Sequence, residues 1–195
     1  MRQVASRMWD WSLEPTASLY HTANSLEPLH AQFDYLKNTV SVVNDFYRDF
    51  NDYKVVAQVY DIDSRKVLEE SAIVNLPEDG VANDVLTIRF PENISQVHFI
   101  KLTLKDEKGK EVSSNFYWRS KDKYEGKTTL TGPATSGFKQ LGDLKSARVK
   151  LSYKVREEGN RYFVDVVLKN SSNRIAFFNQ LQFLNSKMSP IRPSF

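Results

Sequence analysis

The chain of 195 residues carries 27 lysines and arginines against 24 aspartates and glutamates, and a formal charge of +3 gives no reason to expect a nucleic-acid partner. With 41% hydrophobic residues it can build a packed core, yet no apolar run approaches the roughly 20 residues of a membrane span, so no membrane partner is expected. The absence of cysteine excludes disulfides and thiolate metal sites.

The first 30 residues predict a short helix. Val4, Met8 and Trp11 recur at helical spacing, and Pro15 ends the pattern. A helix this short cannot form a core alone, although it carries two tryptophans, Trp9 and Trp11. We therefore expect these two rings to pack against something outside the segment.

Strand patterns dominate from residue 39 onward. Between residues 53 and 60, for example, Val55, Ala57 and Val59 alternate with polar neighbours and predict one buried face. Six short strands are predicted in all, at residues 39–46, 53–60, 67–74, 84–90, 98–105 and 112–118. Regular turns without intervening helices are typical of an antiparallel sandwich, so the predicted fold class is an all-β, immunoglobulin-like β-sandwich.

The strand at 98–105 allows a sharper prediction. Ile100, Leu102 and Leu104 should face the core, whereas Thr103 should face water with the neighbouring lysines. A polar turn follows, and Gly109 suits the left-handed position of a bulged hairpin.

Residues 121–144 are polar and rich in glycine and proline, which predicts a linker. A second module then begins, with strands predicted at 149–156, 162–169 and 174–184. An immunoglobulin-like sandwich needs about seven strands, so residues 145–195 predict an incomplete second sandwich. Its open apolar face should pack against the first module, pack against another chain, or be covered by strands from sequence beyond residue 195. The third option is favoured, and this chain by itself is expected to self-associate as a homo-oligomer.

No motif of catalysis or metal binding stands out. His21, His30 and His98 lack the spacing of a metal-binding helix, and the chain has no nucleophile elbow or phosphate-binding loop. Asp61 and Asp63 fit a solvated hairpin better than a calcium loop. We therefore assign no catalytic residue, no metal ligand and no cofactor.

Aromatic residues offer the one feature suited to binding. Exposed rings pack on the apolar face of a sugar, and Tyr117 with Trp118 forms the best candidate for carbohydrate contact. Packing within the core or an interface is the competing interpretation of these two rings. The same two interpretations apply to Tyr47, Phe50, Tyr53 and Tyr60.

Several stretches carry a family resemblance in their order and spacing, and the spacing of the first three matches without a gap. The first three are Met8-Trp9-Asp10-Trp11-Ser12-Leu13, Leu19-Tyr20 and Leu26-Glu27-Pro28-Leu29-His30-Ala31-Gln32-Phe33-Asp34-Tyr35. The later ones are Ser41-Val42-Val43-Asn44, Phe116-Tyr117-Trp118, Val167-Leu168-Lys169-Asn170-Ser171-Ser172 and Ala176-Phe177-Phe178. Together they resemble the C-terminal region of glycoside hydrolase family 2, closest to its exo-β-D-glucosaminidase and β-mannosidase-like branch. Residues 21–24 depart from that branch, which weakens any inference about the sugar.

The resemblance implies a division of the chain. Residues 1–30 would be the last helix and exit of an upstream (β/α)8 barrel, with Trp9 and Trp11 packed on it. Residues 31–120 would be an immunoglobulin-like sandwich, 121–144 a linker, and 145–195 the start of a second sandwich. The two catalytic glutamates of this retaining family would lie upstream of residue 1.

The functional expectation follows from this division. The chain would be a non-catalytic accessory region whose partners are the catalytic barrel and carbohydrate substrate of a parent exo-glycosidase. The resemblance suggests a periplasmic or secreted parent, and the residues themselves leave the compartment unknown. A stand-alone carbohydrate-binding module and a protein-interaction sandwich remain alternatives.

Overall fold

A computed structural model describes residues 8–9, 15–121, 136–159, 161–187 and 189. Seven of its strands form two antiparallel sheets, with orders β1-β2-β5 and β4-β3-β6-β7. Their bounds are β1 (Leu29–Asp34), β2 (Thr39–Asn44), β3 (Phe50–Tyr60), β4 (Lys66–Leu76), β5 (Gly80–Thr87), β6 (Val97–Lys105) and β7 (Glu111–Ser120). They make the predicted immunoglobulin-like sandwich, which we call the first sandwich.

The core of the first sandwich lies between these two sheets. Alternate residues of β3 are buried as predicted, with Val55, Ala57 and Val59 inside. The central residues from the two sheets are Val40, Val42, Val55, Val59, Ile100, Leu102 and Leu104. Branched side chains on pleated strands fill such a layer densely. For this reason the alternation of apolar residues predicts correctly which side chains are buried.

Part of the outer face of strand β6 is buried, which corrects one prediction. Ile100, Leu102 and Leu104 face the core as expected, but Thr103 is only 6% exposed and Phe99 is fully buried. At Phe99 the outer face is covered because Phe177 from the end of the chain packs on it, at 5.3 Å between ring centroids, whereas Lys101 and Lys105 on the same face stay partly exposed. Alternation on one strand cannot reveal a cover that comes from so far along the chain.

Two strands differ from their predicted positions. Strand β1 was not predicted, although Leu29, Ala31 and Phe33 alternate along it. Strand β5 begins at the end of the turn rather than at residue 84, because a bulge at Asp84, with φ of +53°, keeps this polar residue within the strand. The bulged turn at Gly109 is confirmed by its φ of +79°.

Among the described residues before the first sandwich, one helix is present, α1 (Ala17–Ser25). It starts after Pro15, where the predicted helix was expected to have ended. Trp9 pairs with Pro15 in an isolated bridge and is about half exposed. Val4 and Trp11 lie outside the described residues.

After residue 135 the chain forms a 3₁₀ helix (Ser136–Asp143) and a two-stranded hairpin of β8 (Val149–Glu158) and β9 (Arg161–Asn170). Both predicted strands are confirmed. The predicted strand at 174–184 is wrong, because within residues 171–187 only an isolated bridge residue appears. This segment instead lies against the first sandwich through Arg174, Ile175 and Phe177. The linker at 121–144 falls largely outside the described residues and stays a prediction.

Candidate functional site

Strand β7 presents two rows of side chains with different partners. Successive residues of a strand point to opposite faces. The inner row, toward β1, consists of Ser113, Asn115, Tyr117 and Arg119. The outer row includes Phe116 and Trp118, which join Phe99 of β6 in what we call the aromatic patch. Through its two rows, β7 contacts β1, β6, helix α1 and the segment after β9.

The two middle residues of the inner row, Asn115 and Tyr117, form hydrogen bonds with the backbone of edge strand β1. The Asn115 amide donates to the Ala31 carbonyl at 2.7 Å, and the Phe33 N–H donates to the Tyr117 hydroxyl at 3.3 Å. An unpaired edge strand is a site for unwanted strand pairing. These two side chains satisfy backbone groups of β1 and close the sandwich along this edge.

The ends of the inner row make polar contacts with the segments flanking β1. The Ser113 hydroxyl donates to the Glu27 carboxylate at 2.7 Å, and the Arg119 guanidinium donates to the Asn38 side-chain oxygen. Arg119 also lies over the ring of Phe90, 5.0 Å from its centroid. The guanidinium is thus held by an amide and a ring, and burial lowers its pKa from the usual value.

Two tyrosines share the same end of the first sandwich. The rings of Tyr35 and Tyr117 meet edge to face with centroids 5.9 Å apart. Burial raises the pKa of Tyr35 to about 12 and also raises the pKa of Tyr117. Both phenols therefore remain protonated at any ordinary pH, and they act as neutral hydrogen-bonding groups rather than as bases.

The aromatic patch receives rings from both ends of the described chain. Phe177 lies 5.4 Å from Trp118, and Phe178 lies 5.8 Å from the same ring. From the other side, His21 of α1 approaches Trp118 at 5.3 Å. Rings in these tilted and edge-to-face arrangements attract each other beyond simple burial. Trp118 therefore joins helix α1, the first sandwich and the segment after β9.

A polar contact fixes the same segment at a second point. The Arg174 guanidinium donates to the Asp63 carbonyl at 2.6 Å, and the Ile175 N–H donates to the Ser64 hydroxyl at 2.8 Å. Lys145 lies 3.6 Å from the Asp63 carboxylate. These residues line an open polar depression of 440 Å³ between the β3–β4 turn and the start of the second module.

A second cavity, which we call the α1 cleft, opens between helix α1, strand β1 and strand β7. Its volume is 370 Å³. Its lining residues are His21, Thr22, Ser25, His30, Gln32, Phe33, Asn115, Phe116 and Tyr117. Exposed polar side chains of α1 and β1 therefore line it together with residues from both rows of β7.

The hairpin of β8 and β9 has one apolar face with nothing against it in the described chain. Directly paired residues share a face, so Leu151, Tyr153 and Val155 lie beside Leu168 and Val164. Leu151 is 54% exposed and Tyr153 is 65% exposed. The opposite face is mostly polar, with Arg156 bonded to Asp165 at 2.9 Å, and it also carries Val167 and Phe163. An apolar face this open is typical of a docking surface.

The predicted contact residues occupy different environments. Tyr117 lines the α1 cleft, whereas Trp118 lies half buried under His21, Phe177 and Phe178. Their role in carbohydrate contact stays a prediction. Barrel packing by Trp9 and Trp11 likewise stays a prediction, and Trp11 lies outside the described residues.

Sequence reasoning missed the partners of these rings. Phe177 was read as part of a strand, and His21 was considered only as a metal ligand. The pair Phe177-Phe178 in a stretch of weak alternation was the available sign of a packing role. Among the described residues no cluster could hold a metal ion, and no described helix is long and apolar enough to cross a membrane.

Family models match both parts of the chain. Residues 37–124 match the Mannosidase Ig/CBM-like domain, and residues 128–195 match the exo-β-D-glucosaminidase Ig-fold domain. The first match covers most of the first sandwich, and the second covers the hairpin and the segment that follows it. The matches occur in chain order with three residues between them.

Curated relatives cover nearly the whole chain. The exo-β-D-glucosaminidase of Arthroderma benhamiae is 26% identical over 184 residues, which is 91% of this chain and 20% of the relative. That of Amycolatopsis orientalis is 24% identical over 199 residues, which is 96% of this chain and 19% of the relative. The chain therefore spans about a fifth of the length of these relatives.

Solved structures show the same fold. The crystal structure of the exo-chitosanase CsxA of Amycolatopsis orientalis superposes with a TM-score of 0.81 at 21% identity, covering 96% of this chain and 23% of that one. A structure describing its inhibition by a glucosamine-configured castanospermine gives 0.80 at the same identity and coverage. The sandwich and the hairpin module thus occur together in a longer chain.

Proposed function

This chain resembles the C-terminal region of glycoside hydrolase family 2 enzymes over nearly its whole length, and from that premise we propose that it is a non-catalytic accessory region of an exo-glycosidase. The parent would be a retaining enzyme that removes terminal β-linked sugars of glucosaminide or mannoside type. The observation that carries the proposal is the ordered pair of family matches, one to each module.

The proposed role of this region is to hold the second module in a fixed position relative to the catalytic barrel of the parent. Strand β7 bonds edge strand β1 with its inner row and receives α1 and Phe177 on its outer row. Contacts on two faces of one strand would hold the second module at a fixed angle to whatever precedes α1. A module held at the rim of a barrel limits access, so that only the end of a sugar chain fits.

The chemistry would belong to the barrel. In a retaining mechanism one glutamate protonates the glycosidic oxygen and a second attacks the anomeric carbon, giving a covalent intermediate that water hydrolyses. We place both glutamates upstream of residue 1. The proposed division is residues 1–30 for the barrel exit, 31–120 and 145–195 for the two sandwiches, and 121–144 for the linker.

Two measurements test this proposal. The purified chain is incubated with the nitrophenyl β-glycosides of glucosamine and mannose, and no nitrophenol should be released. Sequencing the genomic locus on both sides of the coding segment should reveal an in-frame barrel with two glutamates at strand ends. Hydrolysis by the chain, or stop codons at both boundaries, would overturn the proposal.

The open face of the hairpin supports a second part of the proposal. Without a partner for Leu151, Tyr153 and Val155, the chain should associate with copies of itself at micromolar concentration. Light scattering should show a mass above the 22.5 kDa of one chain. Tyr153→Lys should lower that mass, whereas Lys154→Ala on the other face should not. A strictly monomeric mass contradicts this part.

A further inference from the structure

Arg119 is a partly buried cation at the end of the first sandwich where β7 stops and the turn between β1 and β2 (residues 35–38) closes. Its Nη1 donates to the Asn38 side-chain oxygen, and its guanidinium lies over the ring of Phe90, 5.0 Å from the centroid. Among the described residues no carboxylate pairs with it, and its Nε and Nη2 groups have no acceptor. Burial lowers its pKa, so this charge is held partly out of water without a counter-charge.

The carboxylates described at this end have other roles. Asp34 accepts two N–H groups of the β1–β2 turn, at 2.7 and 3.0 Å, and Asp84 lies 3.6 Å from Lys37. Lys121 donates to the backbone carbonyl of Glu92, whose carboxylate forms no ion pair with a described residue. None of these carboxylates neutralises the guanidinium at the end of β7.

A tyrosine hydroxyl adds a neutral donor beside the guanidinium. Tyr35 lies in the same turn as Asn38, and its ring is held edge to face by Tyr117 and Phe33, at 5.9 and 5.2 Å. Burial raises the pKa of Tyr35 to about 12, and the charge of Arg119 partly offsets this rise, which places the two groups near each other. Tyr35 is 41% exposed, and its hydroxyl has no partner among the described residues. A protonated phenol and a planar guanidinium with a free edge match the two oxygens of one carboxylate.

Helix α1 leads to this end of the first sandwich. Glu27, after the helix, accepts from Ser113 near the start of β7 at 2.7 Å, whereas His21 lies 5.3 Å from Trp118 near the end of the strand. The helix therefore runs opposite to β7, and its first turn lies toward the end that carries the guanidinium. This chain spans about a fifth of the length of its curated relatives, so polypeptide that precedes α1 in a longer chain would arrive here. Leu36, which is 73% exposed in the β1–β2 turn, offers it an apolar contact.

We propose that Arg119 and Tyr35 form a docking point for one carboxylate side chain, an aspartate or glutamate of the polypeptide upstream of residue 1 in the parent enzyme. The guanidinium donates to both carboxylate oxygens through Nε and Nη2, and the Tyr35 hydroxyl donates to one of them. The identity of the partner rests on the proposed function, since it requires a parent that continues upstream. The affinity of the docking point for a carboxylate is a property of this chain alone.

The test is a titration of the full 195-residue chain with sodium acetate at pH 7, with chloride keeping the ionic strength constant, followed by amide NMR shifts. A single charge-assisted pair predicts a Kd on the order of 10–100 mM, with shifts concentrated at residues 35–38 and 117–120. Sodium phosphate and sodium glucuronate are titrated in parallel. If either binds more than about tenfold more tightly than acetate, the ligand is a different anion and the proposal is overturned, whereas comparable or weaker binding supports it.

Matched variants locate the docking point. Arg119→Met keeps an apolar stem over Phe90 and removes the charge, so acetate binding should weaken at least about tenfold. Arg119→Lys should retain part of the binding, and Tyr35→Phe should weaken it about threefold. Arg89→Met removes an exposed cation next to Phe90 and should leave binding unchanged.

Thermal unfolding gives a second readout on the same chain. At about 0.2 M, acetate should raise the thermal midpoint by about 2–4 °C over the same concentration of chloride, and it should leave that of Arg119→Met unchanged. No acetate shift, or equal binding in Arg119→Met and the unaltered chain, would overturn the proposal. If Arg119→Met does not fold, unchanged binding in both Arg119→Lys and Tyr35→Phe overturns it instead.

The upstream partner is tested in the parent recovered from the genomic locus. Arg119→Met should accelerate hydrogen exchange at residues 35–38 at least about fivefold more in the parent than in the 195-residue chain, because only the parent supplies the carboxylate. Equal effects in both proteins overturn the upstream partner. A locus without an upstream barrel overturns the proposed function and with it that partner, whereas absent acetate binding overturns the docking point alone.

Discussion

The first sandwich and the hairpin of β8 and β9 share the same alternation of apolar and polar residues. Their apolar residues are buried in the first sandwich and exposed in the hairpin. In β6, Leu102 is fully buried, as are its neighbours on the same face. In β8, Leu151 and Tyr153 alternate just as regularly, yet both are more than half exposed. Alternation determines which residues share a face, whereas burial requires a second layer to meet that face.

The second layer is what the hairpin lacks. The four strands of one sheet of the first sandwich are covered by the three strands of the other. The hairpin has two strands, and the segment after β9 lies against the first sandwich instead of covering it. Its apolar face therefore contributes little to the stability of this chain by itself and is available to a partner.

The largest difference should appear when one leucine is removed from each region. Leu102→Ala leaves a cavity in a layer closed on both sides and should lower the free energy of unfolding by about 2–5 kcal/mol. Leu151→Ala removes an exposed side chain and should change it by less than about 0.5 kcal/mol. Urea denaturation followed by circular dichroism measures both. A comparable loss for Leu151→Ala would mean that the hairpin face is covered in solution.

Acid should weaken the first sandwich through His98. Its ring is 2% exposed, and within the described chain its Nε2 has no hydrogen-bond partner. Burial, with smaller contributions from Arg119 and Lys121, lowers the pKa of His98 from 6.5 to about 4. The unfolded chain therefore binds a proton between these two values while the folded chain does not.

Stability should consequently fall as pH drops from 6.5 toward 4, by at most about 3 kcal/mol, with no further loss from this group below pH 4. His98→Phe keeps a ring against Phe90 and removes the titrating group. The unfolding free energies of the two proteins, measured by urea from pH 4 to 7, should diverge in that window. Parallel curves would show that His98 is protonated in the folded state.

Most strands of the first sandwich could be predicted from the sequence because each carries its own alternation of apolar and polar residues. Residues 53–60 and 98–105 carry their own alternation, and Gly109 carries its own turn geometry. Strand β1 was missed although Leu29, Ala31 and Phe33 alternate along it, and the side chains that close its edge, Asn115 and Tyr117, come from far along the chain.

For the candidate site, the sequence predicted which residue types take part but not where their side chains lie. The neighbours Tyr117 and Trp118 were identified as aromatic candidates, but their separation onto opposite faces of β7 decides their environments. Phe177 reaches Trp118 through a tertiary contact that no local period encodes. The same holds for the α1 cleft, which needs three separate elements to exist. Such placements depend on the whole fold rather than on any one segment.

Removing the amide of Asn115 should have a smaller effect than a core cavity. Asn115→Ala leaves the Ala31 carbonyl without its donor in a buried position and should reduce the free energy of unfolding by about 1–3 kcal/mol. Asn83→Ala, an exposed amide on β5, serves as the control and should stay within about 0.5 kcal/mol. Equal effects would indicate that water replaces the Asn115 amide at the edge of β1.

Phe177 should affect global stability less than Asn115 does, although it lies where the two regions meet. Phe177→Ala removes the ring that contacts Phe99 and Trp118. The segment after β9 can then open while the first sandwich remains folded, so the free energy of unfolding measured by urea should change by less than about 1 kcal/mol. Hydrogen exchange should instead accelerate at Ile175, whose N–H donates to Ser64, and Trp118 emission should shift to the red.

Phe183→Ala is the matched control, because Phe183 lies in the same segment with 43% exposure and no ring contact among the described residues. It should leave exchange at Ile175 unchanged. If Phe177→Ala lowers the global midpoint as much as Leu102→Ala does, the two regions unfold as one cooperative unit. If neither phenylalanine affects exchange, the Arg174 contact with Asp63 is sufficient to hold the segment. The expected result is local opening with an intact first sandwich. It would show that the Phe177 ring holds the segment after β9 against the first sandwich without contributing to the global stability of that sandwich.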